Sequence, residues 1–317
     1  MEIRNLGQSG LRVSSIGLGC NNFGGRIDEA ATRAVIHKAL DAGITLFDTA
    51  DVYGERGGSE TVMGRVLGDD RKRIVLATKF AAPMDDSGEK MGGSRHYIIA
   101  AVEDSLRRLK TDWIDLYQMH RTDPRTPIEE TLRALDDLIR QGKVRYIGCS
   151  NFPAWQMTEA AWTARTAGLN GFVSCQDEYS LVHRAPEAEL LPAARKLGFG
   201  LLPYFPLASG LLTGKYRRNA PLPAGTRLAS TQRLADRYLT EENWAIAEKL
   251  GDFAEAQGRT MLELAFSWLL AQNPVASVIA GATRPEQIEQ NVKAGDWKLD
   301  DDALAAIDRI AGRISNA

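Results

Sequence analysis

The chain has 317 residues, 44% of them apolar and 25% charged, with a formal net charge of −2. That near balance, without any basic run, leaves no electrostatic footprint for nucleic acid, and no apolar run approaches the length of a membrane span. Cys20, Cys149 and Cys175 form neither a metal-finger spacing nor a disulfide framework, and the polar amino terminus lacks the apolar core of a signal peptide. The expectation is a cytoplasmic protein without a bound metal, a nucleic-acid partner or a membrane partner.

Residues 2–13 read as a hairpin turning at Gly7 to Gly10, and residues 16–19 as a buried strand that ends at Cys20 and an Asn-Asn-Phe-Gly-Gly loop. The glycines there fail a dinucleotide fingerprint, because Asn22 stands where the third glycine belongs. Residues 28–42 place Ala31, Ala34, Val35, Ala39 and Leu40 at helical spacing. A second strand over 44–47 stops at Asp48, Tyr53 follows on a polar loop, and Ser59 is placed to cap the next helix. The alternation continues with strands over 73–78, 113–119, 144–148, 172–175, 199–202 and 275–279. Helices are expected over 95–109, 127–140, 154–167, 186–197, 241–257 and 260–271, with two more after the last strand. Residues 206–240 interrupt the period with a segment too long for a simple connector. Eight strands alternating with helices predict an α/β (β/α)₈ TIM barrel, spanning 1–317 as a single domain, with an N-terminal β-hairpin and a long loop after strand 7.

Candidate reactive groups lie where strand patterns stop: Asp48 after the second, Lys79 after the third, His120 after the fourth, with Tyr53 on the loop after the second. A barrel gathers them at the carboxyl ends of its strands, where such folds place their chemistry. A free phenol, with a pKa of about 10, is a weak acid at neutral pH, and lowering that value by about 3 takes about 4 kcal/mol. Lys79 is the group expected to lower it, with Asp48 keeping Lys79 charged and oriented. His120 is suited to hydrogen-bond a substrate carbonyl. The set donates a proton to oxygen, contains no nucleophile or metal cage, and calls for a hydride carrier.

The motifs FDTADVYG, Lys79-Phe80, the strand-end His120, GCSNF at 148–152, YFPLASGLLTGKY at 204–216 and GATRPEQIEQN at 281–291 fall in one order along the chain. In them the sequence resembles the aldo-keto reductases, and is close in motifs to their potassium-channel β-subunit-like branch. The resemblance implies a barrel that binds NADPH without a Rossmann domain, with Asp48, Tyr53, Lys79 and His120 as catalytic tetrad and Tyr53 as general acid. It implies that Ser150, Asn151 and Gln176 bind the nicotinamide carboxamide and that Tyr204 stacks on its ring. Pro206, Leu207, Ser209, Gly210, Leu212 and Lys215 would line the pyrophosphate, with Arg227 closing over it. Gly281, Thr283, Arg284, Gln287, Gln290 and Asn291 would hold the adenosine half, Arg284 clamping a 2′-phosphate. Gln290 departs from the glutamate that related sequences often carry against the adenine amine.

The activity so implied is NADPH-dependent reduction of an aldehyde or ketone to an alcohol, with Cys20, Asn21 and Phe23 as candidate substrate contacts. Two alternatives stay open: a redox-sensing regulatory subunit with little turnover, or a sugar or polyol dehydrogenase running mainly in the oxidising direction. The channel-subunit branch often carries asparagine where this chain has His120. The GLLTGK run is one residue short of a P-loop and lacks the hydroxyl after lysine. His37, His96 and His183 read as solvated, and Trp113 and Trp268 as packing. The substrate itself and the oligomeric state are not legible.

Overall fold

The computed structural model describes residues 1–312. A two-stranded antiparallel hairpin, β1 (Ile3–Asn5) and β2 (Arg12–Ser14), precedes eight parallel strands. These are β3 (Ile16–Gly19), β4 (Leu46–Asp48), β5 (Val75–Phe80), β6 (Ile114–Met119), β7 (Val144–Ser150), β8 (Ser174–Gln176), β9 (Gly200–Leu201) and β10 (Val278–Gly281). Hydrogen bonding follows chain order from β3 to β9, with β10 against β3. The ring closes where Leu201 N–H donates to Pro274 O, Ala276 N–H to Leu201 O and Ile279 N–H to Pro203 O. Eight parallel strands in chain order, surrounded by helices, form a (β/α)₈ barrel. The last strand lies further along the chain than its apolar run suggests, because residues 275–277 serve this closure.

The connecting helices begin where polar side chains satisfy free backbone N–H groups. Asp28 caps α1 (Glu29–Asp41) by accepting from Ala31 N–H, and Ser94 caps α3 (Arg95–Leu109) by accepting from Tyr97 N–H. Helix α4 (Ile128–Arg140) starts behind Pro127. Helices α5 (Ala154–Ala167) and α6 (Leu190–Leu197) stop at Gly168 and Gly198, both left-handed. Past the long segment, α9 (Glu241–Ala256) starts at a capping Thr240, and α10 (Met261–Ala271) at a reciprocal Thr260–Glu263 capping box. Helices α11 (Pro285–Ala294) and α12 (Asp301–Ala311) complete the described chain. Among the described residues no helix is long and apolar enough to cross a membrane.

Helix α2 (Tyr53–Val66) departs from expectation. Gly54, Glu55, Arg56 and Gly57 all have positive φ, so Tyr53 opens a left-handed turn before the right-handed helix begins. Ser59 is not its cap. The Ser59 hydroxyl is buried, donates to Cys20 O and bonds the Thr49 hydroxyl, joining the ends of β3 and β4. The long segment is also partly helical, with a 3₁₀ turn at Ala208–Thr213, then α7 (Arg227–Ser230) and α8 (Gln232–Tyr238).

Alternation along the strands layers the barrel interior. Leu46, Ala77, Leu116 and Leu202 point inward and pack on Leu6 and Val13 of the hairpin, which plugs the amino-terminal end with apolar surface. Two residues further along β4, β5 and β6, the same inward direction presents Asp48, Lys79 and Gln118. The lumen therefore changes from apolar to polar within one step of the pleat.

Candidate active site

Lys79 is fully buried, and its ammonium donates to Asp48 Oδ2 at 2.6 Å and to Thr49 O at 2.8 Å. The other Asp48 oxygen accepts from Gln118 Nε2 at 3.0 Å and Gln176 Nε2 at 2.9 Å. Every hydrogen bond to this carboxylate thus comes from the barrel interior, which fixes both partners of the ion pair. Burial works against the Lys79 ammonium, but Asp48 first and then Tyr53 together outweigh it and hold its pKa above the ordinary lysine value. The lysine is charged.

Tyr53 lies over this pair, with Lys79 Nζ 4.9 Å from its ring centroid. Burial pushes the Tyr53 phenol above its ordinary value, while Lys79 pulls the other way without overcoming it. The net direction is opposite to that expected from the Lys79 charge alone, because desolvation of a phenolate outweighs one ammonium already shared with Asp48. Tyr53 is therefore a resident proton donor, not a standing phenolate.

His120 packs edge-on against Tyr53, with ring centroids 5.7 Å apart and an interplanar angle of 84°. Burial first, then the Lys79 and Arg121 charges, lower its pKa to about 3, so the imidazole is neutral. Its Nδ1 is buried without a hydrogen-bond partner among the described residues. An unpaired lone pair there is less costly than an unpaired N–H, which assigns the ring proton to Nε2.

A cleft of about 800 Å³ opens above these groups. Asp48, Tyr53 and His120 line it, together with Cys20, Asn21, Ser150, Asn151, Gln176, Tyr204, Pro206, Leu207, Ser209, Gly210, Lys215, Arg227, Gly281, Thr283, Arg284, Gln287, Gln290 and Asn291. Lys79 lies beneath them. Two candidates are elsewhere: Phe23 and Leu212 are fully buried in the apolar core, because their side chains turn inward from loops whose backbones border the cleft.

Asn151, in the left-handed region at φ 57°, bridges the wall. Its amide donates to His120 O and to the Ser150 hydroxyl, and its carbonyl accepts from the Tyr204 hydroxyl at 2.7 Å. Gln176 donates one amide N–H to Asp48, and its side chain lines the cleft. Further along, Ala208, Ser209 and Gly210 have consecutive positive φ, the Ser209 hydroxyl is buried and unpartnered among the described residues, and a Cβ on Gly210 would meet Lys215 Nζ at 2.9 Å. Such a turn, beside a lysine and an orphan hydroxyl, suits a phosphate. Arg284, with its side chain 66% exposed, has a long ion pair to Glu286 at 3.8 Å.

The sequence reading missed Gln118, Asn22 and Arg26. Gln118 shares the inward face with Leu116, and strand alternation back from His120 would have found it. Asn22 accepts from Arg227 at 3.2 Å, and Arg26 donates to Gly225 O at 2.8 Å, so the loop after β3 clasps the long segment across the cleft. Glu178 holds the other end of that segment through an ion pair with Arg237 and the Tyr238 hydroxyl at 2.7 Å. Among the described residues no cluster of three or more His, Cys, Asp or Glu side chains is placed to hold a metal ion.

The profile of the Aldo/keto reductase family matches residues 15–311. The chain is 38% identical to the uncharacterized oxidoreductase YrpG of Bacillus subtilis (strain 168), over 98% of this chain and 96% of the relative. It is 38% identical to a probable voltage-gated potassium channel subunit beta of Oryza sativa subsp. japonica, over 93% and 92% of the two chains. It is 35% identical to the L-glyceraldehyde 3-phosphate reductase of Escherichia coli (strain K12), over 93% and 87%. The chain belongs to the aldo/keto reductase family and is an oxidoreductase of a kind that generally uses NAD(P)H.

Proposed function

We propose that the chain reduces an aldehyde or ketone to an alcohol with NADPH, and that Tyr53 is the general acid. The observation that carries this reading is the Tyr53 phenol set over a buried Lys79–Asp48 pair and beside a neutral imidazole on one cleft wall. A reduced nicotinamide supplies a hydride to the carbonyl carbon when bound. The His120 Nε2–H donates to the carbonyl oxygen and orients it toward Tyr53. As negative charge builds on that oxygen, the Tyr53 hydroxyl gives up its proton to it. The phenolate left behind lies against the Lys79 ammonium, which is held charged by Asp48. Lys79 thus acts when charge develops, where a fixed dipole or ion lowers a barrier most effectively.

Ser150, Asn151 and Gln176 suit the nicotinamide carboxamide, and Tyr204 its ring. The left-handed turn at Ser209 and Gly210, with Lys215, suits the pyrophosphate, and Arg227 lies across it. The exposed, nearly unpaired guanidinium of Arg284 suits a 2′-phosphate by bidentate bonding, which favours NADPH over NADH. The E. coli relative, a reductase of a small aldehyde by its name, supports the direction of reaction. The potassium-channel relatives support a second reading, a cofactor-sensing regulatory subunit. Retention of an imidazole at His120 favours turnover.

The test is NADPH oxidation with a panel of short-chain and aromatic aldehydes. Wild type is expected to turn over, and Tyr53→Phe to lose about 10²- to 10⁴-fold in kcat while keeping NADPH affinity within a few-fold. Equal rates for the two proteins sink the mechanism, and no turnover on any aldehyde favours the regulatory reading.

A further inference from the structure

The floor of the cleft is a polar layer of the barrel, and one of its members has no direct part in the proposed reaction. Lys79, Gln118, Gly148 and Ser174 are successive Cα partners across β5, β6, β7 and β8. Gln118 is fully buried and does not line the cleft. Gly148 gives it room: a Cβ there would stand 3.3 Å from Gln118 Cγ and 2.4 Å from Ser174 Oγ. The Gln118 amide reaches Asp48, donating from Nε2 to Oδ1 at 3.0 Å, while its own Oε1 is buried and unpartnered among the described residues.

For stability alone this is a poor use of the position, because a buried amide with an unpaired carbonyl costs more than an apolar side chain of the same size. What the amide supplies is a donor to Asp48. A carboxylate in the barrel interior needs hydrogen bonds on both oxygens, and Asp48 Oδ2 takes its bond from Lys79 at 2.6 Å. Oδ1 takes two, from Gln118 and from Gln176 Nε2 at 2.9 Å. The two glutamines stand differently. Gln176 lines the cleft and, on the proposed reading, is shared with the nicotinamide carboxamide. Gln118, buried out of the cleft, serves Asp48 alone.

We propose that Gln118 is a positioning residue for proton transfer: its amide anchors Asp48 Oδ1 independently of the cofactor, and through Asp48 holds the Lys79 ammonium in place against Tyr53. Lys79 Nζ has two acceptors, Asp48 Oδ2 and Thr49 O at 2.8 Å, and lies 4.9 Å from the Tyr53 ring centroid. A carboxylate that swings to recover a lost bond at Oδ1 also moves its grip on Lys79 at Oδ2, because both oxygens belong to one rigid plane. The ammonium then meets the developing Tyr53 phenolate less well, and catalysis by a positioned charge is sensitive to such displacement. The kinetic consequence rests on the carbonyl-reductase reading; the anchoring of Asp48 does not.

Single turnovers with enzyme in excess over aldehyde and saturating NADPH test the role. Gln118→Met, of similar size and without the donor, is expected to slow cofactor oxidation about 10- to 100-fold, the worth of one hydrogen bond to a charged group. The amplitude is expected to stay full, and the Kd for NADPH to stay within about threefold of wild type. A packing defect instead lowers the amplitude, through fewer folded molecules, and leaves the rate; that result, or a wild-type rate, overturns the proposal. Gln176→Met is expected to weaken NADPH severalfold. If it slows the turnover as far as Gln118→Met with NADPH unchanged, the two glutamines are equivalent and the assignment fails. Gln118→Leu, smaller and also without the donor, covers the case in which Gln118→Met does not fold. Urea denaturation decides the anchoring without turnover. Gln118→Met is expected to raise the unfolding constant at least about 10-fold more in wild type than in an Asp48→Asn background. Equal effects in the two backgrounds overturn the anchoring, and a wild type that reduces no aldehyde counts against the functional reading alone.

Discussion

At the scale of single residues, the burial of His120 reaches beyond the cleft into the stability of the chain. In the unfolded chain an imidazole titrates near 6.5, whereas here burial and the Lys79 and Arg121 charges bring it to about 3. Between those values the unfolded state binds a proton that the folded state does not. The contribution of neutral His120 is therefore complete above pH 6.5 and is lost as pH falls toward 3, at a rate of up to about 1.4 kcal/mol per pH unit. His120→Asn is expected to show a flatter fall in urea midpoint between pH 6.5 and pH 4 than wild type, and parallel slopes would show that the imidazole is not held neutral. Asp48, Lys79 and His120 were legible because each ends an apolar run, where a polar side chain has no packing reason to be. Gln118 was not, because inside WIDLYQM it looks like any strand residue until the inward face is known. The balance at Tyr53 was illegible for a different reason. The sequence shows that Lys79 exists, but how far desolvation outweighs it depends on how deeply the closed barrel buries both.

At the scale of elements, several helices were read to the residue, as with α3 over 95–109 and α5 over 154–167. Helix α2 was misread because its start depends on tertiary contacts. A Cβ on Gly54 would meet Phe23 O at 2.6 Å, and one on Gly58 would meet Gly24 O at 2.8 Å, so the loop after β3 presses directly on this turn. Local propensity carries no trace of that approach. The same helix packs on α3 at Gly64, where a Cβ would stand 2.2 Å from Arg108 O and 2.7 Å from the Leu109 carbonyl carbon. Backbone cannot swing aside as a side-chain tip does, so Gly64→Ala is expected to destabilise the chain by about 3 kcal/mol. Gly251, inside α9, has no heavy atom within 4 Å of its Cβ position and an ordinary helical backbone. There the same substitution removes unfolded-state freedom and is expected to stabilise by about 0.5–1 kcal/mol. Urea denaturation of the two variants checks both; a shared sign would show that close packing of α2 on α3 is not what Gly64 provides.

At the scale of the whole molecule, the barrel and the long segment after β9 meet over the cleft. The clasp of Arg26 on Gly225 O and Arg227 on Asn22, and the Glu178 latch on α8, place that segment across the groove that runs from His120 to Arg284. A ligand filling the groove touches the ends of β3, β4, β7, β8 and β10 as well as the segment, so its binding energy is felt as stability of the entire fold. For a ligand that binds only the folded chain, the gain is about 2.7 kcal/mol at 100 times its Kd. The proposed 2′-phosphate contact makes this gain depend on cofactor identity. Removing the guanidinium in Arg284→Ala is expected to weaken NADPH by about 10- to 100-fold, which at fixed excess cofactor removes about 1.4–2.7 kcal/mol of the added stability. NADH, without the phosphate, is expected to stabilise wild type and variant equally. Thermal unfolding of both proteins with each cofactor measures all four terms without requiring turnover. A loss of equal size with NADH would mean that Arg284 supports the adenosine pocket in general, and the assignment to the 2′-phosphate would then fail even if the chain still reduces aldehydes.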